Sequence, residues 1–129
     1  MEKLVMYEVT IIKSFSAAHL LAEIGGKCEE LHGHNFKVEV TVAAKELNPN
    51  GLLIDFRFLK KVLDEILENI DHKYLNTLTS FTGMNPSAEN ISKYICDEME
   101  LKVKMAGVNM VRVKIWESEN AAVTYIPKQ

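Results

Sequence analysis

Cysteine is scarce in this chain of 129 residues, which has only Cys28 and Cys96, far apart in the sequence. That excludes a disulfide framework as the source of its stability. Three prolines and six glycines leave no Pro/Gly-rich linker. With no repeat or low-complexity tract either, a single domain over residues 1–129 is expected. No stretch approaches the roughly 18 consecutive apolar residues of a membrane span. The opening Met1-Glu2-Lys3-Leu4 is too polar for a secretion signal and leads into alternation, not into an apolar run. These absences point to a reduced, cytoplasmic protein without a membrane partner. Positive charge is also in deficit: 15 Lys and Arg against 18 Asp and Glu give a net charge of −3. That argues against a nucleic-acid surface, although a few lysines can still hold a small anion. What is present, 47% hydrophobic and 26% charged residues, is the balance of a soluble domain with a real core.

Two of the four histidines fall in one stretch, Cys28-Glu29-Glu30-Leu31-His32-Gly33-His34-Asn35. On an extended strand, positions i and i+2 project from the same face, so His32 and His34 can close on one metal ion. Imidazole suits zinc. Gly33 between them lets the backbone approach a ligand or lets the strand bulge. A lone His-x-His pair fits a solvated loop equally well, because a catalytic zinc needs three protein ligands and an open position. His19, at the end of the first strand, is a possible third.

The alternation Val5, Tyr7, Val9, Ile11 marks a half-buried strand running on to His19. Leu20 to Lys27 is a loop. A second strand covers His34 to Ala44, with Phe36, Val38, Val40 and Val42 on the face that carries both histidines. Asn48-Pro49-Asn50-Gly51 is a turn. Asp55 then caps a helix from Phe56 to Asn69, in which Leu59, Leu63, Ile66, Leu67 and Ile70 recur at helical spacing. Asp71-His72 follows, either as ordinary polar termination or as a carboxylate that orients an imidazole for proton transfer. A second helix, capped by Asn85 or Ser87 and running to Val103, has Glu89 in its first turn, where the helix dipole favours an acid. Cys96 reads as a packing residue. A strand from Asn109 to Glu117 puts Glu117 on the apolar side, where a carboxylate needs a donor, and a short strand from Ala122 to Ile126 closes a hairpin. The order predicts an α+β fold, with an antiparallel four-stranded sheet (ββααββ) and both helices on one face. Its open edges favour oligomers.

Together these segments resemble, nearly end to end, the 6-pyruvoyl-tetrahydropterin synthase / 6-carboxy-tetrahydropterin synthase family. The motifs are Phe15-Ser16-Ala17-Ala18-His19, Cys28-x-x-x-His32-Gly33-His34, Ile54-Asp55-Phe56, Asp71-His72, Leu75-Asn76 and Ser87-Ala88-Glu89-Asn90, in the expected order. Ile70, where leucine is frequent, and Ala88, where a hydroxyl is frequent, depart from the pattern. The resemblance implies a T-fold whose sheets join into a barrel, with two trimers stacked as a homohexamer. It implies zinc held by His19, His32 and His34, Cys28 as general base, and Asp71 and His72 in proton transfer. It further implies that Glu117 grips the pterin ring, with Ser87 and Glu89 also contacting it. The implied substrate is a pterin triphosphate, 7,8-dihydroneopterin triphosphate; the resemblance assigns no lysine to its phosphates, for which Lys27 and Lys73 are candidates by position alone.

Within the family, three residues between Cys28 and His32 resemble the carboxy-forming enzymes of queuosine and archaeosine synthesis. The implied reaction yields 6-carboxy-5,6,7,8-tetrahydropterin, acetaldehyde and triphosphate. The alternatives are the pyruvoyl product by triphosphate elimination alone, or cleavage to 6-hydroxymethyl-dihydropterin, to which Glu29 beside Cys28 would contribute. A non-catalytic zinc- and pterin-binding protein would need none of Cys28, Asp71 and His72. A generic zinc hydrolase would carry a helical His-Glu-x-x-His motif, which is missing here.

Overall fold

The computed structural model describes residues 6–108 and 110–128. Val5 and Asn109, the expected starts of two strands, lie outside the described residues. Strand β1 (Tyr7–His19) pairs antiparallel with β2 (His32–Ala44), from Tyr7 opposite Ala44 to His19 opposite His32. Helix α1 (Phe56–Glu68) and helix α2 (Ala88–Val103) follow. Strands β4 (Met110–Ser118) and β5 (Ala121–Tyr125) form the closing hairpin, with β4 antiparallel to β2. Alternation selects the core. Ile11, Phe15 and Ala17 from β1, Phe36 to Val42 at even positions of β2, and Val111, Val113 and Ile115 from β4 are all buried. They join the buried faces of both helices in one cluster.

Helix α1 follows its pattern closely. Asp55 caps it, accepting from the Arg57 amide at 2.8 Å, and Leu59, Leu63, Ile66 and Leu67 are buried. Lys60, Lys61, Asp64, Glu65 and Glu68 form the exposed face. At α2 the alternative cap is the one used. Ser87 Oγ accepts from the Asn90 amide at 3.2 Å, whereas the Asn85 side chain reaches away from the helix to the main chain of Ala22. Cys96 is a packing residue: burial pushes its thiol up to about 12, far from a reactive thiolate. Among the described residues no helix is long and apolar enough to cross a membrane.

The expected antiparallel four-stranded sheet requires correction. With a two-residue strand β3 (Lys73–Tyr74), the sheet has five strands in the order β3-β1-β2-β4-β5, and it is mixed. This additional strand runs parallel to β1, with Ala17 opposite Lys73. Two residues carry no period, so sequence alternation cannot announce them. Long-range hydrogen bonds hold this strand in place. The Ser16 amide donates to Asp71 Oδ1 at 2.9 Å, and the His72 amide donates to the Ser16 carbonyl at 2.6 Å. His72 adopts φ 58°, the left-handed region that turns the chain from α1 into β3.

The Ser16 amide, with the His72 ring adding to it, holds the Asp71 carboxyl below its ordinary value of 3.8. A depressed carboxylate contributes stability that is fully present above its unfolded pKa and is lost as pH falls through the folded one. Asp71→Asn is therefore expected to be less stable than the parent between about pH 5 and 7, with the gap narrowing below about pH 4. Urea unfolding followed by circular dichroism at fixed protein concentration measures this. A gap independent of pH would refute it.

Candidate active site

The β1–β2 register brings three histidines to one end of the core. His19 and His32 are direct cross-strand partners, and His34 lies opposite Ala17 on the same face. The rings meet edge to face, with centroids 4.5 Å apart for His19–His32, 5.1 Å for His19–His34 and 4.8 Å for His32–His34. One nitrogen from each ring lies within 4.8 Å of the others. Among the described residues, this is the one set of His, Cys, Asp and Glu side chains that converges closely enough to hold a metal ion.

Hydrogen bonds fix which nitrogens face inward. His19 Nδ1 lies 2.7 Å from the Pro86 carbonyl, and His32 Nδ1 lies 2.8 Å from the Glu30 carbonyl. A carbonyl only accepts, so each Nδ1 carries the proton and each Nε2 presents a lone pair. Such outer bonds to backbone carbonyls orient metal-binding imidazoles. His19 is fully buried, and its Nε2 has no hydrogen-bond partner. A buried acceptor left unmade costs about 1–3 kcal/mol, and a metal ion would satisfy it. Three imidazoles are a donor set that fits catalytic zinc, which takes three protein ligands and keeps a fourth position open. Burial holds the His19 imidazole below its ordinary value. The Pro86 carbonyl and Glu117 work against that lowering, and His32 and His34 add to it. Burial therefore favours the neutral, ligating form of His19.

Glu117 is near enough to act electrostatically on His19. It owes that place to a β-bulge: Trp116 pairs with Ala122 and Ser118 with Ala121, so Glu117 is the inserted residue. A bulge re-aims a side chain, and Glu117 is only half-buried, free to meet a ligand.

Asp71 and His72 form a pair, with His72 Nδ1 3.0 Å from Asp71 Oδ1. His72 shares an open cleft of about 490 Å³ with His34, and Ser16, Asn35, Lys73 and Tyr74 also line it. Gly33 lines it too, in regular register opposite Ala18, with no bulge. A Cβ on Gly33 would meet only the Ala17 carbonyl, at 3.7 Å. Cys28 sits exposed on the 3₁₀ turn Gly26–Glu29 and belongs neither to the histidine cluster nor to the cleft lining. Ser87 and Glu89 stay at the start of α2, outside that lining, with Ser87 engaged as the cap and Glu89 exposed. Ser16, Asn35 and Tyr74 escaped the sequence reading as site residues. The first sits inside the Phe15–His19 motif and the second directly after His34, so adjacency to ligands was their only signal.

A family model described as 6-pyruvoyl tetrahydropterin synthase matches residues 8–128. A 6-carboxy-5,6,7,8-tetrahydropterin synthase of Synechocystis sp. is 38% identical over 105 residues, covering 78% of this chain and 79% of the relative. A dihydroneopterin monophosphate aldolase of Pyrococcus furiosus is 34% identical over 110 residues, covering 85% and 89%. The solved 6-pyruvoyl tetrahydropterin synthase of Caenorhabditis elegans superposes with a TM-score of 0.85 at 26% identity, over 99% of this chain and 100% of that one. With its motifs, fold and relatives in agreement, the chain belongs to the 6-pyruvoyl tetrahydropterin synthase family.

Proposed function

We propose that this protein is a zinc-dependent lyase. It converts 7,8-dihydroneopterin triphosphate to 6-carboxy-5,6,7,8-tetrahydropterin, releasing acetaldehyde and triphosphate. The observation that carries the reading is the buried, partnerless Nε2 of His19 facing the rings of His32 and His34. The branch rests on the three residues between Cys28 and His32 and on a relative 38% identical that bears the carboxy-synthase name.

Zinc bound there supplies Lewis acidity and a template for the hydroxyls of the substrate side chain. The remaining work falls to the chain. Glu117 accepts hydrogen bonds from the pterin's amino and ring nitrogens, a charge-assisted pairing that orients the ring. Cys28 accepts the proton lost beside the ring. The Asp71–His72 pair hands a proton back, with the carboxylate keeping the imidazole oriented. Lys73 lines the cleft with His34 and His72 and would meet the phosphates in this reading. The sheet ends at β3 and β5, and open edges invite pairing with further copies. We assign the homohexamer of two stacked trimers on that basis and on the family's, and sedimentation of the purified protein tests it.

One observation favours a second product. Glu29 adjoins Cys28 on the same exposed turn, and a relative 34% identical is named an aldolase. With Glu29 as an acid–base group, the side chain would be cleaved to leave 6-hydroxymethyl-dihydropterin.

Mass spectrometry of the pterin product, with an acetaldehyde assay, separates these readings. The 6-carboxy product with acetaldehyde is expected. A 6-pyruvoyl product would move the protein to the branch that stops at triphosphate elimination. A 6-hydroxymethyl product that disappears in Glu29→Gln would establish the aldol cleavage. No turnover at any enzyme concentration would leave a binding protein. Chelation is expected to abolish turnover and lower the melting temperature, with both restored by zinc at one ion per chain. Cys28→Ala should retain zinc while kcat falls by about 10²–10⁴-fold; unchanged turnover would remove Cys28 from the mechanism.

A further inference from the structure

Between the metal ligand His19 and the turn bearing Cys28, the chain runs through Leu20, Leu21 and Ala22, outside any regular sheet. Backbone without a ladder partner needs other hydrogen bonds. Two asparagine side chains provide them. Asn76 Oδ1 accepts from the Leu20 amide and its Nδ2 donates to the Leu20 carbonyl, each at 3.0 Å. Asn85 repeats the arrangement two residues on, accepting from the Ala22 amide at 2.8 Å and donating to the Ala22 carbonyl at 3.0 Å. A primary amide that both accepts from and donates to one residue reproduces the pairing of an antiparallel strand. Leu21, between them, donates its amide to the Cys28 carbonyl at 2.6 Å.

The three tethers form one connected path. Asn85 is itself fixed, because Asn90 Nδ2 donates to its carbonyl at 2.7 Å from the first turn of α2. The next residue, Pro86, holds the His19 ring through its carbonyl. Asn76 follows β3, the strand that carries the chain on from the Asp71–His72 pair. The main chain leaving the histidine cluster is thus gripped from the two segments that also position His19 and His72, and its free side holds Cys28.

We propose that Asn76 and Asn85 are positioning residues, whose side-chain amides fix the main chain of Leu20 and Ala22 and so hold Cys28 in register with the histidine cluster. The proposal rests on the reading of Cys28 as the reacting thiol, and its test is chosen to stand apart from that reading. Asn76→Asp and Asn85→Asp are isosteric and replace the donor with an oxygen that faces a carbonyl oxygen. In zinc-loaded protein, hydrogen exchange across residues 20–28 should rise about tenfold or more, with the paired core of β1 and β2 still protected. Zinc content should stay at that of the parent. Misplacement of a reacting group by about 1 Å can cost on the order of 10²-fold in rate, so kcat should fall toward that extent with KM changed far less.

Unchanged exchange in both variants would overturn the proposal. A rise in KM alone would also overturn it, since that marks lost substrate binding and not a misplaced Cys28. Should Asn76→Asp fail to fold, Asn85→Asp carries the test, because its contact with Ala22 is solvent-exposed. Raised exchange with kcat and KM both unchanged would uphold the tether and remove Cys28 from the chemistry. The two readings therefore fail separately.

Discussion

The pairing of β1 with β2 is the constraint on which the rest of this structure depends. It runs unbroken over both 13-residue strands and ends at the His19–His32 pair. A slip of one residue would turn every side chain of a strand to the opposite face, burying Lys37 and Glu39 and sending His34 and Phe36 outward. The core forbids it. Phe15 stacks on Phe36 with centroids 4.9 Å apart, and Phe36 in turn meets the rings of His34 and His19 at 5.2 and 5.7 Å. The apolar contacts that stabilise the sheet thus also set the geometry of the histidine cluster.

Register alone leaves the rings free to rotate and to exchange tautomers. The Pro86 and Glu30 carbonyls remove that freedom for His19 and His32. The result is a cluster held at a local energetic cost, since a buried nitrogen faces two more imidazoles without a hydrogen-bond partner. Burial also disfavours protonation of His19. Coordination of a cation would remove the first cost and would find His19 already in its neutral form, which is the physical content of calling the cluster pre-organised.

A second level of organisation sits in residues 85–90. Ser87 closes the first turn of α2, Asn90 grips the Asn85 carbonyl, Asn85 grips Ala22 and Pro86 grips His19. The helix, packed against β4 and β5 and with Ile91, Ile95 and Met99 buried, is the rigid body from which these contacts are made. Opposite it, Ser16 ties the Asp71–His72 pair to β1. Side chains drawn from distant parts of the chain are in this way referred back to one strand.

Much of this was legible in the sequence because it follows from period and composition. Alternation at positions 7–19 and 34–44 located the long strands and placed His34 with Phe36 on the buried face. Helical spacing gave α1 almost to the residue, whereas strand alternation could not announce the bulge at Glu117. Only the tertiary structure decided the rest. The two-residue β3 is too short to carry a period, and its position is set by bonds from Asp71 and His72 to Ser16, 55 residues away in the case of Asp71. The choice of Ser87 over Asn85 as cap turned on the Ala22 main chain, which only the fold brings within reach of Asn85. Local pattern determines which face a side chain takes, whereas the partner of a polar group is chosen by whichever unsatisfied donor or acceptor the packed core delivers to it.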